Sequence, residues 1–257
     1  MMTPPRPPLQ RAPDNAVGLQ GVVLPEGFRC HRVRSLSLTL LFGLVATLLA
    51  WIFIQLGSEM AEGDTRAFDM FILRAMQVER DGHPWVAAVM RDLSGLGSTA
   101  VLVLFTSIAV GYLALVSARR MAWLMVVAVC TGEAGISLLK VAFARARPGA
   151  AFAEAVAPGM SFPSGHAGMS AIVFLCVGAL LASTRARTAE RSYILAVAAF
   201  MTLLVGLSRV ALGVHWATDV LAGWAYGSAW ALIWLLLAYG WATRRVSVAD
   251  QYDTMSP

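Results

Sequence analysis

LSLTLLFGLVATLLAWIFIQL, residues 36–56, carries no charged side chain along its whole length. About 20 apolar residues suffice to cross ~30 Å of hydrocarbon when each adds ~1.5 Å of helix, so this block is a membrane span. Further blocks of the same kind follow, from about Ala100 to Val116, Met121 to Phe143, Ala167 to Ala182, Tyr193 to Leu212 and Trp216 to Tyr239. The 257-residue chain is 58% hydrophobic and only 14% charged, whereas soluble domains carry about 25% charged residues. That balance excludes a disordered chain and a soluble nucleic-acid module, and the net charge of +5 is read first as membrane topology. Cys30, Cys130 and Cys176 lie far apart, two of them inside apolar blocks, so no disulfide framework is encoded. No stretch reads as a strand. The expectation is an all-α bundle of six transmembrane helices with no separate soluble domain.

Residues 1–35 are rich in Pro and Arg without periodicity and are expected to form a disordered cytoplasmic tail. The first apolar block starts too late and runs too long for a cleaved signal, so it is an anchor. The membrane domain then covers 36–243, and residues 244–257 form a second cytoplasmic tail. Between spans 1 and 2, Phe68, Phe71, Ile72, Ala75 and Met76 recur at helical spacing. Pro84 opens a second short helix with Trp85, Val86, Val89, Met90 and Leu93. Both are expected to be amphipathic helices lying at the interface.

Arg119 and Arg120, then Arg185, Arg187 and Arg191, then Arg244 and Arg245 fall on one side of the bundle. The 57–97 segment on the other side holds Glu59, Glu62, Asp64, Asp69, Glu79, Asp81 and Asp92 against four arginines. The positive-inside rule therefore places both termini in the cytoplasm and the 1–2, 3–4 and 5–6 links outside. A bacterial inner membrane with a periplasmic site is the expected setting.

Three polar clusters occupy that outer side. Lys140-Val-Ala-Phe-Ala-Arg-Ala-Arg-Pro148 ends span 3, Ser161-Phe-Pro-Ser-Gly-His166 opens span 4, and Ser208-Arg209, His215 and Asp219 bracket the link between spans 5 and 6. Lys140, the sole lysine, with Arg147 and Arg209 can neutralise a phosphate, arginine doing so through a bidentate fork. Ser164 can donate a hydroxyl and Gly165 a backbone N–H at a helix N-terminus, where the helix dipole favours an anion. His215 and Asp219 stand at i, i+4, so the carboxylate can fix the imidazole tautomer and stabilise its cation. His166 is left as a separate acid–base group. No metal-ligand spacing is present, and neither metal nor other cofactor is expected.

These clusters resemble the three-part signature of the type 2 phosphatidic acid phosphatase (PAP2) superfamily: Lys-x6-Arg-Pro, Pro-Ser-Gly-His and Ser-Arg-x5-His-x3-Asp. The likeness covers most of residues 36–243 and departs at no motif position. It implies that His215 attacks phosphorus to form a phosphohistidine and that Asp219 orients it. It further implies that His166 protonates the leaving oxygen and then activates water, while Lys140, Arg147, Ser164, Gly165 and Arg209 hold the phosphoryl oxygens. Family members of this six-span kind act on phosphatidic acid, phosphatidylglycerol phosphate, undecaprenyl diphosphate or lipid A phosphates. The expected partners are thus a phosphorylated lipid and the bilayer, not nucleic acid. A lipid phosphotransferase using the same phosphohistidine and a non-catalytic lipid-phosphate carrier are the alternatives.

Three further residues are read on their own terms. Glu133, the acid well inside span 3, lies seven residues before Lys140 and is expected to support the site from behind or to brace helices. Arg145, off the motif, is expected to be an interfacial anchor. Ser94-Gly-Leu-Gly-Ser98 lacks phosphate-loop spacing and is expected to be a helix boundary.

Overall fold

The computed structural model describes residues 26–155 and 158–253, with side chains for 36–155 and 158–241. Its contacts divide the chain at Leu38/Thr39; the described part of the first unit is the start of α1, and the second unit holds everything below. The expected tail is described only from Glu26, where α1 (Glu26–Glu62) begins, so its last ten residues, 26–35, are helical; residues 1–25 lie outside the described residues. The chain continues through α2 (Arg66–Gly82), α3 (Pro84–Gly95), α4 (Thr99–Leu115) and α5 (Arg119–Phe143). A 3-10 turn (Ala150–Phe152) precedes α6 (Gly165–Ser183), α7 (Thr188–Ala211) and α8 (Ala217–Asp253). The expected second tail is helical as far as Asp253.

Among the described residues, six stretches are long and apolar enough to cross a membrane. Five match the expected spans. The second is longer than expected, because α3 and α4 together form one apolar stretch, Pro84–Leu115, interrupted only at residues 96–98. Within that stretch the segment at 84–93 is a short helix of its own, α3, packed on α7, and α2 is the second short amphipathic helix expected between spans 1 and 2. The break is local: Ser98 caps α4, its hydroxyl accepting from Val101 N at 3.4 Å, and so starts a new helix after residues 96–98.

Helix α6 is the centre of the bundle. Of its most apolar stretch 61% is buried, against 6% for α1. Ile136, Ile172, Val173 and Val205 fill the core between α5, α6 and α7. On the α8 side small residues let backbones touch: a Cβ on Gly227 would stand 2.3 Å from Gly168 O, and one on Gly223 would stand 2.7 Å from Ser164 O. This Gly-x3-Gly pair draws α8 onto the start of α6 as small residues do in membrane helix pairs.

The corner between α7 and α8 is a Schellman turn. Gly213 N–H donates to Val210 O at 2.9 Å and Val214 N–H to Arg209 O at 3.2 Å, with Gly213 at φ +69°. Arg80 of α2 donates to Ala211 O and, at 2.8 Å, to Phe152 O, tying this corner to the 3-10 turn.

Candidate active site

After Lys140, Ala144 takes a left-handed conformation and closes α5 by donating to Lys140 O at 2.9 Å. The chain then leaves the helix in a non-helical segment, 144–149. Arg145 reaches Thr218 and Asp219 at the start of α8 and Arg147 reaches Val214 and His215 just before it, while the Ala146 carbonyl accepts from Trp216 Nε1 at 2.9 Å.

His215 and Asp219 are 2% and 0% exposed. Asp219 Oδ2 lies 3.3 Å from His215 Nδ1 and accepts from Trp216 N at 2.9 Å and from the Ser161 hydroxyl. The other ring nitrogen, Nε2, is 3.0 Å from Arg147 Nη1. A guanidinium can only donate. Nε2 therefore carries the lone pair, Nδ1 carries the proton, and the tautomer is fixed from both ends. Burial pulls His215 down to about 4 from its ordinary 6.5; Asp219 opposes that drop by hydrogen bond and charge, and the cations Arg147 and Lys140 add to it. Burial also draws Arg147 down, with Asp219 opposing.

Arg147 spends its donors on protein atoms. Besides Nε2 it reaches Gly159 O at 3.0 Å, Val214 O at 2.8 Å, Pro158 O at 3.2 Å and Met160 O at 3.3 Å. Lys140 Nζ donates to Met160 O at 2.9 Å and its chain lies beside Gly165. The 158–160 loop is thus pinned over the site by two of the expected phosphate ligands.

The remaining expected ligands are less engaged. Ser164 is the N-cap of α6, yet its hydroxyl is fully buried with no hydrogen-bond partner among the described residues. Arg209 donates from Nη1 to Ser94 Oγ at 2.5 Å, and its buried Nε is likewise without a partner. The first N–H groups of α6, from Gly165, are free by helix geometry. An orphaned buried donor costs about 1–3 kcal/mol unless something meets it, so this is where an anion is called for. His166, one residue into α6, packs against the α3–α4 break, where a Cβ on Gly97 would stand 3.3 Å from its Cδ2. It lies within electrostatic reach of Arg209, His215, Arg147 and Lys140.

The structure thus brings Lys140, Arg147, Ser164, Gly165, His166, Arg209, His215 and Asp219 to one locus. Glu133 is different: it is exposed on α5, makes no hydrogen bond or salt bridge among the described residues, and acts on Lys140 only through space. Ser208 turns away to Val205 O at 2.7 Å. Arg145, expected as an anchor, instead joins two buried carboxylates, 2.6 Å from Asp219 Oδ1 and 2.6 Å from Asp69 Oδ2. The expected helix boundary at 94–98 is present, and Ser94 within it receives Arg209. Asp69, Ser94, Arg145 and Ser161 carried no motif signal; each works by meeting a residue distant in sequence.

Residues 121–244, which include all three clusters, match the PAP2 superfamily. The chain is 32% identical over 151 residues to "Phosphatidylglycerophosphatase B" of Bacillus subtilis (strain 168), covering 56% of this chain and 71% of that one. A crystal structure of a transmembrane PAP2 type phosphatidylglycerolphosphate phosphatase from Bacillus subtilis superposes with a TM-score of 0.69. That match has 26% identity and covers 76% of this chain and 95% of the other. LpxE of Aquifex aeolicus follows at TM-score 0.48 and 23% identity, over 65% of this chain and 93% of that one. With its six apolar helices and its three clusters gathered at one end of α6, the chain belongs to the PAP2 superfamily as an integral membrane phosphatase.

Proposed function

We propose that the protein removes phosphate from a phosphorylated lipid on the outer membrane face, through a phosphohistidine at His215. The observation that carries this reading is the fixed line Arg147–His215–Asp219, which keeps the lone pair on Nε2, together with the buried, unpaired donors of Ser164 and Arg209.

In the first step Nε2 attacks phosphorus, the bond from phosphorus to the lipid oxygen breaks, and His166 delivers a proton to that oxygen. The Arg147 N–H that rests on Nε2 in the free enzyme is released as phosphorus takes its place, and it turns to a phosphoryl oxygen. Ser164, the Gly165 amide, Lys140 and Arg209 meet the other oxygens, where charge spreads in the in-line transition state. His166's charged neighbours among these groups are cations, so the substrate phosphate itself supplies the anion that pairs with its protonated form. In the second step His166 takes a proton from water, the hydroxide breaks the N–P bond, and inorganic phosphate leaves. Asp219 holds the Nδ1 proton throughout.

A lipid substrate is supported by α2, which leaves Phe68, Phe71 and Val78 exposed while burying Asp69, Leu73 and Arg80 towards the protein. Such an outer face suits the bilayer surface. The names of the relatives make phosphatidylglycerol phosphate the first candidate, with phosphatidic acid, undecaprenyl diphosphate and lipid A phosphate beside it. We place both termini in the cytoplasm, the site on the periplasmic side of a bacterial inner membrane, and the catalytic domain at 36–243.

The test is phosphate release from each of these lipids by detergent-purified protein in EDTA. The expected result is EDTA-resistant release, fastest with one lipid. No release from any of them by folded protein overturns the reading.

The pH dependence has a defined sign. A nucleophilic imidazole must be neutral, and burial lowers the His215 pKa to about 4. Its contribution to kcat/KM is therefore flat from neutrality down to about pH 5, then falls about tenfold per pH unit below pH 4. Profiles on a single substrate check this; a limb from His215 at its ordinary 6.5 would contradict it.

A further inference from the structure

We propose that Asp69 and Arg145 form a charge clamp that positions Asp219 and sets how much of its negative charge reaches His215. Asp69 and Arg145 are positioning residues, and the proposal rests on the reading of His215 as nucleophile.

The clamp is a chain of buried contacts between elements far apart in sequence. Asp69 of α2, 1% exposed, accepts from Thr218 N at 2.9 Å through Oδ1 and from Thr218 Oγ1 at 2.7 Å through Oδ2. Its Oδ2 also meets Arg145 Nη2 at 2.6 Å. Arg145 Nη1 then donates to Thr218 Oγ1 at 2.8 Å and to Asp219 Oδ1 at 2.6 Å. The guanidinium also lies over the Trp216 ring, 5.4 Å from its centroid. Asp69 therefore grips both the residue before Asp219 and the cation that holds Asp219.

Two consequences follow from this arrangement. With Oδ1 taken by Arg145, and Ser161 and Trp216 N on Oδ2, the carboxylate cannot rotate, so Oδ2 stays aimed at Nδ1. The electrostatic consequence is a matter of counting. Asp69, Arg145 and Asp219 together carry one negative charge, which faces the imidazole. Removing Asp69 leaves Arg145 to cancel Asp219, whereas removing Arg145 leaves two negative charges with the imidazole as their nearest remaining proton acceptor. Lys140 of α5, Arg147 of the loop and His166 of α6 also face His215, with Arg209 of α7 beside His166. All four are unchanged in these variants. A merely structural brace would lower activity in either variant without moving the pH limb; a clamp moves the limb in opposite directions.

The experiment compares wild type, Asp69→Asn, Arg145→Gln, the double variant and His215→Ala, as full-length protein in detergent on one lipid phosphate. Asp69→Asn keeps an acceptor for Thr218 N and is expected to lower kcat about 10- to 100-fold, the usual size for an outer hydrogen-bond partner, with KM within about twofold. Its acidic limb moves to lower pH. The Arg145→Gln limb moves up by about one unit or more. The double variant restores the single negative charge, so its limb returns towards wild type and its activity exceeds that of Arg145→Gln by about tenfold. Unmoved limbs with additive losses overturn the clamp. Should Arg145→Gln fail to fold, Asp69→Asn decides alone, and wild-type kcat and limb there overturn the proposal. Unchanged turnover in His215→Ala would instead place the fault in the nucleophile reading itself.

Discussion

Replacing His215 with alanine is expected to reduce phosphate release by about 10⁴-fold or more, the largest loss of any single substitution in this site. A nucleophile that forms a covalent intermediate has no substitute once deleted, and residual turnover then reflects only binding and electrostatics. The fold should survive, because Arg147 retains carbonyl partners at Pro158, Gly159, Met160 and Val214. Asp219→Asn tests the tautomer: an amide in that place can present its N–H to Nδ1 and drive the proton to Nε2, and such a swap costs up to about 10⁴-fold in a triad. Rapid alkaline quenching of enzyme turning over a labelled lipid phosphate checks both variants. An alkali-stable, acid-labile phosphoenzyme is expected in wild type and absent in His215→Ala. Retention of label by His215→Ala would remove the covalent mechanism.

Gly213→Ala is expected to lower stability by roughly 3–4 kcal/mol, with nearly complete loss of activity. The residue has φ +69°, which disfavours any Cβ, and a Cβ built there would stand 1.9 Å from the Phe152 carbonyl oxygen. That carbonyl also accepts from Arg80, while Glu154 N–H binds Leu212 O at 3.0 Å, so the loop cannot retreat without losing both contacts. The strain falls one residue before Val214, whose carbonyl holds Arg147, and two before His215. Thermal unfolding in detergent should move down by roughly 10 °C. Gly111→Ala, whose Cβ would meet nothing within 4 Å, should leave it near wild type. Equal melting of the two variants would refute the argument.

The spans and the eight motif residues were legible because both signals are local. A run such as 36–56 needs no partner to be read, and Lys140 and Arg147, or His215 and Asp219, declare themselves by spacing. The apolar run of the second span extends back through α3, which the sequence separates from it by the turn at 96–98. Arg145 was misread. Beside Lys140 and Arg147 at a helix end it looks like another surface cation, and the acids it serves lie 76 residues before it and 74 after it. Ser161 and Ser94 share that difficulty. Gly213 was readable in principle, as a glycine two positions beyond a helix end, and so was the Gly223/Gly227 spacing on an apolar helix. Glu133 shows the converse case: helical spacing put it on nearly the same face as Lys140, yet α5 leaves that acid exposed.

Backbone contact through Gly168, Gly223 and Gly227 also has a mechanical meaning. Helices that touch main chain to main chain have no layer of side chains to shear against one another. The helix that presents Ser164 and His166 and the helix that presents Asp219 therefore move as one body. Changes in bilayer thickness or curvature fall instead on α1, which is mostly exposed and meets the other helices through a few residues such as Phe53, packed against Phe143, Phe162 and Tyr226. The chemistry is carried on a stiff keel, insulated from the fluctuations of the membrane that holds it.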